Sequence, residues 1–159
     1  VAYQKEMFPS IEGILVLDDI VGFIGNDECK EYAVPYIKRI LNSFDSKLNF
    51  FHNDAQGLVS TPYLNDMNVH LFNFSFEHSM KEIRELAGPE VALIGNLPPR
   101  DVLAAGTPEQ VREETTRMVQ EFGDKSRVIW SCGGGMPTNV TTENILAFKE
   151  TIEKEVPKL

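Results

Sequence analysis

Residues 13–54 read GILVLDDIVGFIGNDECKEYAVPYIKRILNSFDSKLNFFHND, and the architecture of the whole chain follows from them. Gly13–Asp19 (GILVLDD) is a short aliphatic run closed by two aspartates, which predicts a strand and then a turn. Asn26 predicts a helix start, with Asp27 and Glu28 favourable in the first turn. That helix runs to about Phe44, and Pro35 inside it predicts a kink or a later start. Leu48–Asp54 (LNFFHND) is then a second strand. Working outward, the same rhythm recurs at Val69–Phe76 (VHLFNFSF), Val91–Leu97 (VALIGNL) and Arg127–Cys132 (RVIWSC). Between these runs lie helix signals: Thr61-Pro62 and Thr107-Pro108 as cap residue and first-turn proline, Gln110 completing a box with Thr107, and Ser79 with Glu82 repeating that box. Gly88-Pro89 stops the Ser79 helix, and a last helix spans about Thr142 to Glu155. The near-continuous apolarity of the runs predicts strands covered on both faces, as in a parallel sheet.

Strand and helix alternating five times make an α/β fold with a parallel sheet. On pattern alone this suggests a flavodoxin-like, doubly wound sheet, because a complete (β/α)8 barrel needs roughly 200 residues or more and the chain has 159. Apolar residues make up 42% and charged residues 25%, the balance of one ordinary globular domain. Lys and Arg number 15 against 24 Asp and Glu, a formal net charge of -9. That acidity argues against nucleic acid and anionic membrane as partners. No apolar run approaches a membrane span and no leader opens the sequence. Two cysteines, Cys29 and Cys132, are too few for a disulfide scaffold, so a cytoplasmic protein is expected.

Ligands of α/β proteins bind at the carboxyl ends of the strands, and those ends are rich in chemistry. His52 and Asp54 flank one residue and therefore share a face. They can hold a metal, or the carboxylate can orient the imidazole as a base; a loop histidine beside a capping Asp is the plainer alternative. Asp18 and Asp19 alternate faces, so one can bind a cation or serve as acid–base while the other caps the loop. Ser75 and Asn96 end the third and fourth runs as candidate pocket residues. Glu77 and His78 read as the start of a helix. Cys132 can bind zinc as a thiolate or be a small core residue. Gly133, Gly134 and Gly135 permit close backbone approach to a bulky ligand, yet match neither GxGxxG nor a P-loop, and a plain glycine turn reads equally well.

Four segments carry a family resemblance: LDDIVGFIGNDECKEYAVPYIKRI, VALIGNLPP, GTPEQVREETTRMV and GGGMPTNVTTENILAF. In unbroken order over nearly all of the chain, they resemble the uroporphyrinogen decarboxylase superfamily, which includes cobalamin-dependent methyltransferases. The resemblance implies a (β/α)8 barrel of which residues 1–159 are the C-terminal five units, with the N-terminal strands missing and supplied by a longer chain or a closing partner. In the decarboxylases the last loop carries a His that contacts the tetrapyrrole, and Gly134 aligns with it. In the coenzyme M methyltransferases zinc is held by a His-x-Cys pair and a last-loop Cys. Here the pair reads His52-Asn53-Asp54, and the last-loop Cys again aligns with Gly134, with Cys132 two residues earlier. Losing two thiolates hardens the site towards oxygen-preferring metals; His52, Asp54 and Cys132 are then the candidate ligands of a modified site.

The expectation is accordingly an enzyme of corrinoid-dependent methyl transfer, between a methylcorrinoid partner protein and a small thiol or pterin acceptor. His52, Asp54 and Asp19 are its catalytic candidates, and Asp18, Asn96, Ser75 and Gly133–Gly135 its binding candidates. Zinc is possible with an incomplete ligand set. The alternatives are uroporphyrinogen decarboxylation in porphyrin biosynthesis, and a non-catalytic barrel that binds a tetrapyrrole or corrinoid.

Overall fold

The computed structural model describes residues 1–156. Its centre is one parallel sheet of five strands: β1 (Gly13–Leu17), β2 (Leu48–Asn53), β3 (Leu71–Phe74), β4 (Ala92–Leu97) and β5 (Val128–Cys132). The strands lie side by side in sequence order. That order rejects the flavodoxin-like alternative, because a doubly wound sheet must reverse direction at a switch point. Sequential parallel order is how a (β/α)8 barrel winds, and this chain forms five consecutive units of one.

A short helix, α1 (Ala2–Met7), precedes β1 and was not foreseen. The β1–β2 crossover is broken into pieces. A 3-10 turn (Ile20–Phe23) and α2 (Asn26–Glu28) lead into a π-helical turn (Cys29–Ala33), and α3 (Val34–Leu41) follows. The expected disturbance at Pro35 takes this form: proline cannot supply its N–H, and the wider turn before it absorbs the loss. Gly25, not Asn26, occupies the N-cap; the Asn26 Oδ1 instead accepts a hydrogen bond from the Tyr63 hydroxyl at 2.7 Å. Thr61-Pro62 yields only a 3-10 turn (Thr61–Tyr63) capped by Ser60, so β2 and β3 are joined without an α-helix.

The remaining helices obey their caps. On α4 (Met80–Ala87) the Ser79 hydroxyl accepts from Glu82 N, but Glu82 turns to His78, leaving half a box. A π-helical turn (Pro99–Ala104) precedes α5 (Pro108–Phe122), whose Thr107–Gln110 box is complete. Thr141 caps α6 (Thr142–Glu155). Among the described residues no helix is long and apolar enough to cross a membrane.

The two faces of the sheet differ. Phe51, Phe72 and Phe74 stack along the helix-covered face, with ring centroids 5.8 and 5.7 Å apart, and join one core with Ile37, Leu41, Ile83, Leu93 and Val111. The strand register puts Leu15, Leu17, Leu48, Phe50 and Ile129 on the other face. There Leu15 is 53%, Leu17 67% and Ile129 52% exposed. Sheet coverage on both faces, expected from the apolar runs, therefore holds only on the helix side. The second face is apolar because it is the concave interior of a barrel, which five strands do not enclose.

Candidate functional site

Leu17 pairs with His52 across β1 and β2, so the residues that follow each strand meet at the same end. Asp18 tightens the turn: its Oδ1 accepts from Ile20 N at 3.0 Å, and its own N–H donates to the His52 carbonyl at 3.1 Å. Asp19 is the aspartate that turns to the site, its Oδ1 accepting from Asp54 N at 3.1 Å. The two loops can approach because of a glycine pair. A Cβ on Gly57 would lie 1.7 Å from the Gly22 carbonyl oxygen, and one on Gly22 would lie 2.5 Å from the Ala55 Cβ. Backbone packs directly on backbone there, and the loop carrying Asp19 is held over β2.

The result is a compact cluster. His52 Nε2 lies 3.8 Å from Asp54 Oδ2, and one donor atom from each of Asp19, His52 and Asp54 falls within 4.8 Å of the others. His52 Nδ1 lies 2.7 Å from Asn73 Oδ1 on β3. The imidazole is largely shielded while Asp19 and Asp54 open to solvent, so the cluster is a polar centre accessible from one side. It can exchange a proton with a small molecule. One imidazole nitrogen and two carboxylates also suit an oxygen-preferring divalent cation better than a thiolate-bound zinc.

The other candidates fall into two groups. Gly134 belongs to the cluster's wall: at φ +76°, a Cβ there would lie 2.7 Å from Asp54 Oδ2. Gly135 faces open space. A Cβ on Gly133 would meet Asn96 Oδ1 at 2.5 Å and Phe76 N at 2.8 Å, so this glycine packs the β3, β4 and β5 ends together. Cys132 is a correction. It shares a face of β5 with Trp130, two residues earlier, whose ring packs edge-on against Phe122 of α5 at 6.2 Å, so Cys132 lies on the helix-covered face. Burial pushes its thiol pKa up. The carboxylate that lies with His52 and Asp54 is that of Asp19. Ser75 and Asn96 also stand apart from the cluster. The buried Ser75 hydroxyl accepts from Glu77 N at 3.3 Å, and Asn96 Nδ2 donates to the His78 carbonyl.

His78 is anchored as a structural residue, with Nε2 2.7 Å from the Gln56 carbonyl and Nδ1 3.3 Å from Glu82 Oε2. With Asn96, Arg117, Met118 and Phe122 it lines a cavity of about 360 Å³ between α4 and α5, away from the cluster. Ile20, Phe23, Phe76 and Met136, all on loops that follow strands β1, β3 and β5, are large exposed apolar side chains. Sequence reasoning missed Asn73 and the Gly22–Gly57 contact. The available signals were a lone amide inside the aromatic run LFNFSF and a glycine in each of two adjacent loops.

The comparisons with known proteins agree with the fold. The sequence profile described as "Uroporphyrinogen decarboxylase (URO-D)" matches residues 4–155. A uroporphyrinogen decarboxylase of Chloroherpeton thalassium is 27% identical over 156 residues, 93% of this chain and 43% of the relative. One from Gloeobacter violaceus is 23% identical over 151 residues, 92% of this chain and 42% of the relative. Among solved structures, a methyltransferase from Methanosarcina mazei superposes with a TM-score of 0.77 at 16% identity, covering 91% of this chain and 42% of that one. The chain thus spans less than half the length of the relatives it matches. With the profile covering nearly all of it and the strands in barrel order, the chain belongs to the uroporphyrinogen decarboxylase (URO-D) family.

Proposed function

We propose that this chain carries the acceptor-handling part of a corrinoid-dependent methyltransferase within the URO-D superfamily. The observation that supports the reading is the Asp19–His52–Asp54 cluster, a polar centre at the strand ends, with Ile20, Phe23, Phe76 and Met136 exposed on loops at the same end of the sheet. A polar centre with apolar loops around it suits a small acceptor held beneath a broad, flat ligand. Gly135, open on its Cβ side, leaves room for that ligand.

In this reading the acceptor's X–H (thiol or pterin) gives its proton to His52 Nε2, and Asp54 beside it stabilises the imidazolium that results. The acceptor's lone pair forms the new bond to the methyl carbon, while the bond from methyl to its donor breaks with the electron pair left on the donor. Asp19 holds the Asp54 backbone in place. A divalent cation, where bound by His52, Asp54 and Asp19, would supply Lewis-acid polarisation of the acceptor. The activity belongs to the closed barrel: Leu15, Leu17 and Ile129 are the surface that its remaining strands would cover.

The test uses the full-length protein, methylcobalamin and a panel of thiol and pterin acceptors, with demethylation followed by absorbance. Wild type is expected to demethylate, and His52→Ala to lose about 10²- to 10⁴-fold in rate, the usual worth of a positioned acid–base group. Unchanged rates in the variant would remove His52 from the chemistry. The second reading, uroporphyrinogen decarboxylation, is supported by the names of the relatives. Coproporphyrinogen formation without any demethylation would favour it.

A further inference from the structure

The structure assigns Asn73 as a positioning residue: anchored to the Ile94 carbonyl, it holds His52 in the Nδ1–H tautomer and so dedicates Nε2 to the Asp19–Asp54 cluster. The assignment deepens the proposed use of His52 and rests on that reading for its purpose, though the tautomer exists without turnover.

The three residues lie along one row of the sheet. His52 pairs with Asn73, and Asn73 with Ile94, in register across β2, β3 and β4. The Asn73 amide is buried, only 5% exposed, so water cannot satisfy it and its orientation follows from its neighbours. Its Nδ2 lies 2.9 Å from the Ile94 carbonyl oxygen. A carbonyl only accepts, so the NH2 must face Ile94 and the amide oxygen must face the other way. That oxygen lies 2.7 Å from His52 Nδ1. An amide oxygen also only accepts, so Nδ1 must carry the hydrogen. In the neutral ring the lone pair is then on Nε2, the atom 3.8 Å from Asp54 Oδ2. At that distance Nε2 is next to the carboxylate without being tied up by it, as a proton acceptor or metal ligand must be. The opposite tautomer would set the Nδ1 lone pair against the Asn73 oxygen and leave an N–H pointing at the cluster.

Nitrogen-15 spectra of the histidine rings in the intact protein test this directly, at alkaline pH where imidazoles are neutral. His52 is assigned by the signal lost in His52→Gln. Wild type is expected to show His52 as a single Nδ1–H tautomer. Asn73→Leu, which removes both hydrogen bonds at similar volume, is expected to give a tautomer mixture and a demethylation rate about 10- to 100-fold lower, the usual scale for a ligand-orienting residue. Asn73→Asp keeps the acceptor and is expected to retain the Nδ1–H form. An Nε2–H wild type overturns the assignment, and that spectrum decides even where Asn73→Leu fails to fold. An unchanged spectrum in folded Asn73→Leu overturns it equally. Failure of wild type to demethylate bears on the proposed function and leaves the tautomer result standing.

Discussion

The helix-covered face of the sheet and its concave face are made of similar residues and behave differently. On the first, Phe51, Phe72, Phe74 and Leu93 are almost completely buried and stacked against helices. On the second, Leu15, Leu17 and Ile129 are more than half exposed, and the polar row His52–Asn73 runs between them. The core of these five units lies on one side of the sheet, and the His52–Asn73 row that leads to the Asp19–His52–Asp54 cluster lies on the other. A barrel interior is the physical reason. Its side chains are covered only when the ring of strands closes, whereas each helix covers its own strand locally.

Substitutions can break this contrast. Phe72→Ala is expected to have the largest effect, destabilising by about 3–5 kcal/mol through transfer and cavity terms. Leu17→Ser, at an exposed inner position, should stay within about 0.5 kcal/mol in the five units studied alone. Urea midpoints measure both. A Leu17→Ser cost of several kcal/mol in the intact protein would mean that its inner face is covered, and would sharpen the contrast into a measure of barrel closure.

The loop glycines extend the comparison to the site. Gly57→Ala places a Cβ against the Gly22 backbone, and backbone cannot step aside. A loss of about 1–3 kcal/mol, with the Asp19 loop displaced from Asp54, is expected. Gly134→Ala meets only the carboxylate end of Asp54 but adopts φ +76°, a strain of about 1–2 kcal/mol. Gly135→Ala meets nothing and should change stability by less than about 0.5 kcal/mol. Thermal denaturation that ranked the three otherwise would show that the loops relax in a way their packing does not predict.

The smallest effect is expected at Cys132. Cys132→Ala should leave Co²⁺ affinity, measured by titration calorimetry, unchanged within about twofold, while Asp19→Asn should weaken it. A tenfold loss in Cys132→Ala would return the thiol to the site. The raised thiol pKa also has a sign: the reactive thiolate forms only above the ordinary range, so alkylation of the folded protein should be slow at neutral pH and rise later with pH than for a free cysteine.

Much of this protein was legible before any tertiary structure. Apolar runs bounded by Gly, Pro, Asn or Asp marked all five strands, because strand ends need turn residues. Thr107 with Gln110 and Ser79 with Glu82 announced helix starts, because capping is a local matter of orphan N–H groups. His52 and Asp54 share a face for the equally local reason that strands have a period of two. Three things depended on distant contacts. Strand order distinguishes a barrel segment from a doubly wound sheet, and short-range patterns are the same in both. That Asp19 and not Cys132 lies beside His52 and Asp54 turned on which face of β5 is covered by α5 and on the Gly22–Gly57 contact between loops 35 residues apart in sequence. Asn73 read as one amide in an aromatic strand until its neighbours on β2 and β4 were in place. Hydrogen bonds across a parallel sheet join residues about 20 positions apart, and no local pattern records them.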